Sequence, residues 1–344
     1  MQRVTLQQLA ERAGVSPATA SHAMSGSGRV APTTRERVRQ AARELDYRPD
    51  PMLSALVGHR RDRQVLKAPA NLAFLVYPRN EGEWGPGKVA WSIWEAARET
   101  AREMGYALEI MNLNEHPRLG TAARILRDRG VRGVIFPFHR QRADLGEFPL
   151  EEFAVVEVGY INVSHREIDR VTMNDFAAMR RVWSEMIARG YRRIGFAITE
   201  STDANSGEAW SAAYRLEQAQ AAAKQGLEPL PIYDLNQYSP NAAELFGDWM
   251  KMTRPDAIIS RKNLRGFFTE LNLRVPEDLG YAGLGVHDNS ATSGTVFDAR
   301  EIGRNTVAML DHSLRHDRLG APECPRTVLL QPRWNEGSTL RSRL

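Results

Sequence analysis

Ser16, Thr19, Ser21, His22 and Ser25 fall on the polar side of one short segment, SPATASHAMS, at residues 16–25. Hydroxyl groups in such a row suit phosphate oxygens, and the imidazole of His22 can hydrogen-bond a base edge. Pro17 and Ala18 bring no side-chain hydrogen bond and offer only apolar contact, for instance with a thymine methyl. A second group lies far along the chain. Arg261, Lys262 and His287 stand near predicted strand ends, where a cation can hold a carboxylate or phosphate. The alternative for these cations is a solvated surface. Tyr77, Trp84 and Trp91, near the exit of the first predicted strand, have rings that can stack on a sugar, although aromatics at helical spacing also build cores and interfaces.

Helix signals position the first group. Thr5 and Gln8 fit a capping box around Leu6, ahead of Leu9, Ala10 and Ala13, and Gly14 ends that helix. Ser16 caps a second helix with Pro17 in its first position, and Val15, Ala20 and Ala23 turn inward. A third helix begins at Thr33, with Glu36 at capping-box spacing, and carries Val38, Ala41, Ala42 and Leu45 on one face until Tyr47 and Pro49. Three short helices with a tight turn between the first two predict a helix-turn-helix bundle. The helix starts add Thr5, Leu6, Thr33 and Thr34 to the residues expected to face nucleic acid. Asp50, Pro51 and Gly58 then bracket a two-turn helix exposing Met52, Leu53, Leu56 and Val57. It is too short to be stable alone and needs a partner surface.

From residue 71 strand-like and helix-like stretches alternate: LAFLVYP, then WSIWEAARETAREMGY, then ALEIMNL, with the pattern restarting at RRIGFAIT. Alternation of this kind predicts parallel sheets flanked by helices, in two successive α/β halves that bind ligand at strand C-terminal ends. The expected organisation is a head at 1–49, a hinge helix and linker at 50–69, and a body at 70–344.

Charge agrees with that division. Residues 1–67 hold 12 Lys/Arg against 6 Asp/Glu, leaving 34 against 36 for the rest. A basic end on a near-neutral body is the electrostatic pattern of a nucleic-acid-binding head. No apolar run suits a membrane span, no leader-type stretch opens the chain, and lone Cys324 cannot form an internal disulfide, so the expected compartment is the cytoplasm. Phosphate-loop, dinucleotide-loop, nucleophile-elbow and zinc spacings are absent, which argues against an enzyme and against a metal or other cofactor.

TLQQLAERAGVSPATASHAMSG, followed by TTRERVRQAARELDYRPD, resembles the head of the lactose repressor/galactose repressor family of bacterial transcription factors over residues 3–58. The resemblance implies that the second helix enters the major groove with Pro17, Ala18 and His22 at base-contacting positions. Family members often have a longer side chain at the first and arginine at the last, so direct readout should be sparser here. It further implies that the short helix pairs with its dimer mate and wedges Leu56 into a minor groove, bending the duplex. The body is similar to periplasmic sugar-binding proteins, carried by VPEDLGYAGLG, REIGRNTVAMLDHSL and LLQPRWNEGSTLR.

Several body positions depart from the family pattern. Asn174 stands where an aspartate is usual, Lys262-Asn263 where Asn-Asp is common, and Gly285 replaces a late aspartate. The arginine expected early in the second half falls at Tyr214, with Arg215 one place off. Acids that hold sugar hydroxyls are therefore expected to be missing. The candidate effector contacts are Tyr77, Trp84, Trp91, Asn174, Tyr214, Arg215, Arg261, Lys262 and His287. The whole reading is an α/β regulator with a helix-turn-helix head, a homodimer on a pseudo-palindromic double-stranded operator. It would repress carbohydrate-related genes under a sugar or acidic sugar derivative. The competing reading is a solute-binding protein with no DNA role.

Overall fold

The computed structural model describes residues 4–25, 30–45, 47, 70–78, 84–116, 118–137, 148–159, 167–235, 239 and 241–343. The chain divides into two compact units, 1–68 and 69–344. The segment 50–58, with Met52, Leu53, Leu56 and Val57, lies outside the described residues.

The first unit holds α1 (Leu6–Ala13), α2 (Pro17–Ser25) and α3 (Pro32–Glu44). The capping box at α1 forms as its residue types dictate. Gln8 N–H donates to Thr5 Oγ1 at 3.3 Å, and Thr5 N–H donates to Gln8 Oε1 at 2.8 Å. Gly14 ends the helix at φ 62, in the left-handed region that a residue without Cβ enters at little cost. The core is Leu9, Ala10, Ala13, Ala20, Ala23, Val30, Val38, Ala41 and Ala42, with Val15 and Leu45 packed against it. Small side chains let three short helices approach closely. The third helix differs from expectation: Pro32 starts it, Ala31 is its N-cap without a side-chain bond, and Glu36 pairs with Arg43 at 3.1 Å. Proline's fixed φ suits the first helical position, so the helix begins before Thr33 can cap it.

The second unit contains two six-stranded sheets. Its elements in order are β1 (Ala70–Val76), α4 (Val89–Glu103), β2 (Tyr106–Asn112), α5 (Leu119–Asp128), β3 (Val131–Phe136), β4 (Ala154–Val158), β5 (Arg170–Met173), α6 (Asp175–Ala188) and β6 (Ile194–Ile198). There follow α7 (Glu200–Ala204), α8 (Ala209–Gln225), β7 (Tyr233–Asp234), α9 (Ala242–Thr253), β8 (Ala257–Ser260), α10 (Arg265–Glu270), β9 (Gly280–Val286), β10 (Gly294–Val296), α11 (Ala299–Arg315), β11 (Thr327–Leu330) and β12 (Arg333–Asn335). The first sheet runs β11-β5-β4-β3-β1-β2, all parallel; the second runs β12-β10-β9-β8-β6-β7, parallel except for β12 against β10. Buried strands such as Leu72–Val76 and Ile194–Ile198 are covered on both faces, as parallel sheets require.

The halves are not simply successive. The chain passes from β5 to α6, returns from β10 to α11, and passes again from β11 to β12. Helix α11 packs on α4 and on β4 and β5, although it follows β10 in sequence. Its buried Ile302, Val307 and Leu310 join the first sheet's core with Leu72, Phe74 and Ile93. Each crossing leaves the C-terminal end of a strand. The ends at which open parallel sheets bind ligands are thus also the points at which the two halves connect.

Candidate functional site

In the first unit, the start of α2 is exposed. Ser16 Oγ accepts from Thr19 N–H at 3.2 Å and lies 2.9 Å from Thr19 Oγ1, so the cap predicted for Ser16 is made. Ser16, Pro17 and Ala18 are exposed, while Thr19, Ser21 and His22 are half-buried; for Ser25 only the backbone at the end of α2 is described. Thr5 and Thr33 are exposed, Leu6 and Thr34 half-buried. None of α1, α2 and α3 has an acidic residue in its first turn. Their positive helix ends therefore stay unneutralised, the condition under which phosphate is attracted there.

In the second unit, Asn174 is the N-cap of α6, its Oδ1 accepting from Ala177 N–H at 3.0 Å. The residue after it, half-buried Asp175, is a group that motif reading passed over. Burial pushes its carboxyl up to about 7, with nearby Arg261 opposing the rise and Asp203 adding to it. Asp203 is buried at the end of α7 and serves the next helix. Its Oδ1 accepts from Ser211 N–H at 3.2 Å, satisfying a donor in the first turn of α8, and from Ser206 Oγ at 3.5 Å.

Arg261 leaves β8 with its guanidinium carbon 5.9 Å from the centre of the Phe297 ring. Gly285, at φ 70, makes room for it: a Cβ there would lie 3.3 Å from Arg261 Nε and Cζ. A cation is thus seated against the backbone of Gly285. Lys262 is held by its main chain, its N–H donating to Ser260 Oγ at 3.0 Å and its carbonyl accepting from Tyr281 Oη at 2.5 Å. Arg333 pairs with Asp288 at 2.8 Å and with Asp298 at 3.0 Å, and Asp298 caps α11, so two crossings are tied together.

The remaining sequence candidates separate. Tyr214 is fully buried, its Oη donating to Ile194 O at 2.9 Å among Trp183 and Phe196, and it is corrected from effector contact to core residue. Arg215 and His287 are exposed. Trp84 and Trp91 form an aromatic cluster with Trp94 and Phe74, with centroids 4.7–6.3 Å apart, packed on the first sheet's core; Tyr77 is exposed. Two further features escaped the sequence. Trp210, in the first turn of α8, is 7% exposed, and its Nε1–H has no partner among the described residues. It belongs to the same buried cluster as Ala178 and Met179 of α6. Two acids that residue spacing did not single out, Asp175 and Asp203, thus interact electrostatically with each other, and Asp175 with Arg261.

A helix-turn-helix head and a two-sheet body with crossings at the strand ends define a class, the transcriptional regulator with a periplasmic-binding-protein-like body. Residues 5–50 match "Bacterial regulatory proteins, lacI family", and residues 184–340 match "Periplasmic binding protein-like domain". The HTH-type transcriptional regulator KdgR of Bacillus subtilis (strain 168) is 24% identical over 291 residues, covering 81% of this chain and 80% of that protein. The fold is shared with a transcriptional regulator CelR–cellobiose complex, at TM-score 0.60 and 21% identity over 98% of this chain and 100% of that one. It is shared too with the lac repressor dimer bound to operator and an anti-inducer, at TM-score 0.56 and 18% identity over 99% and 100%. Residues 5–50 are thus a head of the lacI family of bacterial regulatory proteins, and residues 184–340 are a periplasmic-binding-protein-like domain. No helix among the described residues is long and apolar enough to cross a membrane.

Proposed function

We propose that this chain is a cytoplasmic repressor of carbohydrate-related genes, not an enzyme, that reads operator DNA with α2 and answers to a small molecule at the strand ends of its body. The carrying observation is the start of α2, where Ser16, Pro17 and Ala18 are exposed beside Thr19, Ser21 and His22 with no acidic residue in the first turn. Pro17 and Ala18 make apolar base contact, His22 hydrogen-bonds one base edge, and the hydroxyls and helix starts, with Thr5, Leu6, Thr33 and Thr34, set register on phosphates. The working form is a homodimer on a pseudo-palindromic operator, supported by the fold shared with the operator-bound lac repressor dimer.

The effector is a sugar or an acidic sugar derivative, a reading supported by the fold shared with the CelR–cellobiose complex. Arg261, Lys262, His287 and the Asn174-capped start of α6 are its proposed polar surroundings, and Tyr77, Trp84 and Trp91 its proposed aromatic ones. Ligand would shift the equilibrium between DNA-competent and incompetent arrangements of the two halves. Gel shift against genomic fragments tests the reading. A regulator retards particular fragments, and its affinity drops roughly a thousandfold or more between about 50 and 200 mM salt. A solute-binding protein shows no salt-sensitive retention.

A further inference from the structure

The end of α11 carries two histidines on one face. HSLRH places His312 and His316 four residues apart, half of a usual zinc spacing, and only the helix brings their rings together. The ring centres lie 4.3 Å apart at an interplanar angle of 36°. His316 Nδ1 is 2.7 Å from the carbonyl oxygen of His312, and a carbonyl only accepts, so Nδ1 carries the proton. That bond satisfies one of the carbonyls a helix end leaves open, and it decides which nitrogen remains: in the neutral ring Nε2 keeps its lone pair. Neither ring uses Nε2 in a hydrogen bond among the described residues. His312 is half-buried and His316 exposed. Burial, then His316, Arg326 and Arg318, hold the His312 imidazole below its usual range against the pull of Asp169, so this ring is neutral at pH 7.

The charged neighbours are mostly committed to one another. Arg326 donates to Asp169 through Nε at 3.1 Å, Arg315 pairs with Asp311 at 2.8 Å, and Asp317 pairs with Arg132 at 3.2 Å. Exposed Arg318 is left as the charge that opposes a cation, and salt screens it. Asp169 and Arg326 immediately precede β5 and β11. The pair thus stands by the N-terminal ends of these strands, away from the C-terminal ends assigned to the effector.

We propose that His312 and His316 form a site for a divalent transition metal of the Zn2+, Ni2+ or Cu2+ type, each ring giving one nitrogen, Nε2 in the case of His316. Imidazole suits these ions, whereas Mg2+ and Ca2+ take oxygen. With metal–nitrogen bonds of about 2.0–2.1 Å, two rings in adjacent positions on one ion have centres about 4.5–5 Å apart, so the observed 4.3 Å asks for only a small turn of the side chains. The bond from His316 Nδ1 to a carbonyl is the outer contact that orients a metal-bound imidazole. No third His, Cys, Asp or Glu joins the pair among the described residues, so water fills the other positions and the ion is a reversible clamp on the helix end.

Calorimetric titration of the full chain with ZnCl2, NiCl2 and CuSO4, and with MgCl2 and CaCl2 as controls, tests this on wild type, His312→Ala, His316→Ala and the double variant. The chain has eight histidines, so the quantity read is the difference between wild type and the double variant. Wild type should bind one more ion, Cu2+ more tightly than Ni2+ or Zn2+, with no such difference for Mg2+ or Ca2+. Each single variant should lose at least about tenfold in affinity for that ion, and the site should weaken below about pH 6.5 as the rings take up protons. Electron paramagnetic resonance of the Cu2+-loaded chain should show coordination by two imidazole nitrogens that the double variant lacks. Equal stoichiometry in wild type and double variant, or an extra ion that survives loss of either histidine, overturns the proposal. Metal-free melting of the variants checks that the helix end is intact; His312→Gln and His316→Gln, which keep a polar side chain, replace any alanine variant that melts early.

Discussion

Leu9→Ala should unfold the head and leave the body standing. Leu9 is fully buried, and six of the nine residues in its core are alanines, with Val30 and Val38 the other larger members. Alanine has no rotamers with which to fill a void, so the cavity left by Leu9 stays open and the loss lies in the upper part of the usual range of about 2–5 kcal/mol. A unit of 68 residues has little reserve: below about 70–80 residues a single core rarely supplies more than about 3–5 kcal/mol. The two quantities are equal within their spread, and the substitution therefore removes most of the head's stability. Each kcal/mol shifts the midpoint of so small a unit by about 4–8 °C, so its transition should fall by at least about 10 °C. Scanning calorimetry of wild type should resolve separate transitions for the two compact units. In Leu9→Ala the head transition should drop below the working temperature, the body transition should stay in place, and operator affinity should fall with the head. A head midpoint within a few degrees of wild type, or undiminished operator binding, would refute the account of how this small core is held.

Three further outcomes follow from the body. Tyr214→Phe removes the bonds of Tyr214 Oη to Ile194 O and Gln218 Nε2 and should cost about 1–2 kcal/mol of body stability in denaturant titrations while leaving effector affinity unchanged; a loss of affinity alone would return Tyr214 to the site. Gly285→Ala places a Cβ at φ 70 and 3.3 Å from the Arg261 guanidinium, so it should cost about 1–2 kcal/mol and weaken ligand binding together, and unchanged melting and binding would remove Gly285 from the account. Because burial raises the Asp175 carboxyl above its unfolded value, the folded state binds its proton more tightly. The contribution is present in full below about pH 4 and is lost as pH rises to about 7; Asp175→Asn should flatten that decline in melts across the range, and an unaltered profile would contradict it.

The head was readable because its signals are local. Thr5 with Gln8, Gly14, and Ser16 before Pro17 each settle a helix end within four residues, and all three form as their spacing dictates. Thr33 misled because Pro32 begins the helix one residue earlier, a competition that residue spacing alone does not decide. In the body the alternation of strands and helices was legible, but the return of α11 to the first sheet was not, because its partners α4, β4 and β5 lie far back in the sequence. Tyr214 misled because a polar tip at helical spacing reads the same whether it meets a ligand or a backbone carbonyl inside a core. Asp175, Asp203 and Trp210 were missed for a related reason: their significance comes from burial and neighbours brought together by tertiary structure. The one signal available was Asp175 itself, an acid directly after Asn174 at a predicted strand end.

The reading of DNA by α2 is tested most directly by His22→Ala against an operator and a set of variants changed one base pair at a time, each affinity measured by fluorescence anisotropy at fixed salt. A base-reading imidazole predicts that the preference at one base pair relaxes by about 1–3 kcal/mol while the other positions keep theirs. An equal loss on every variant, or none on any, would contradict it.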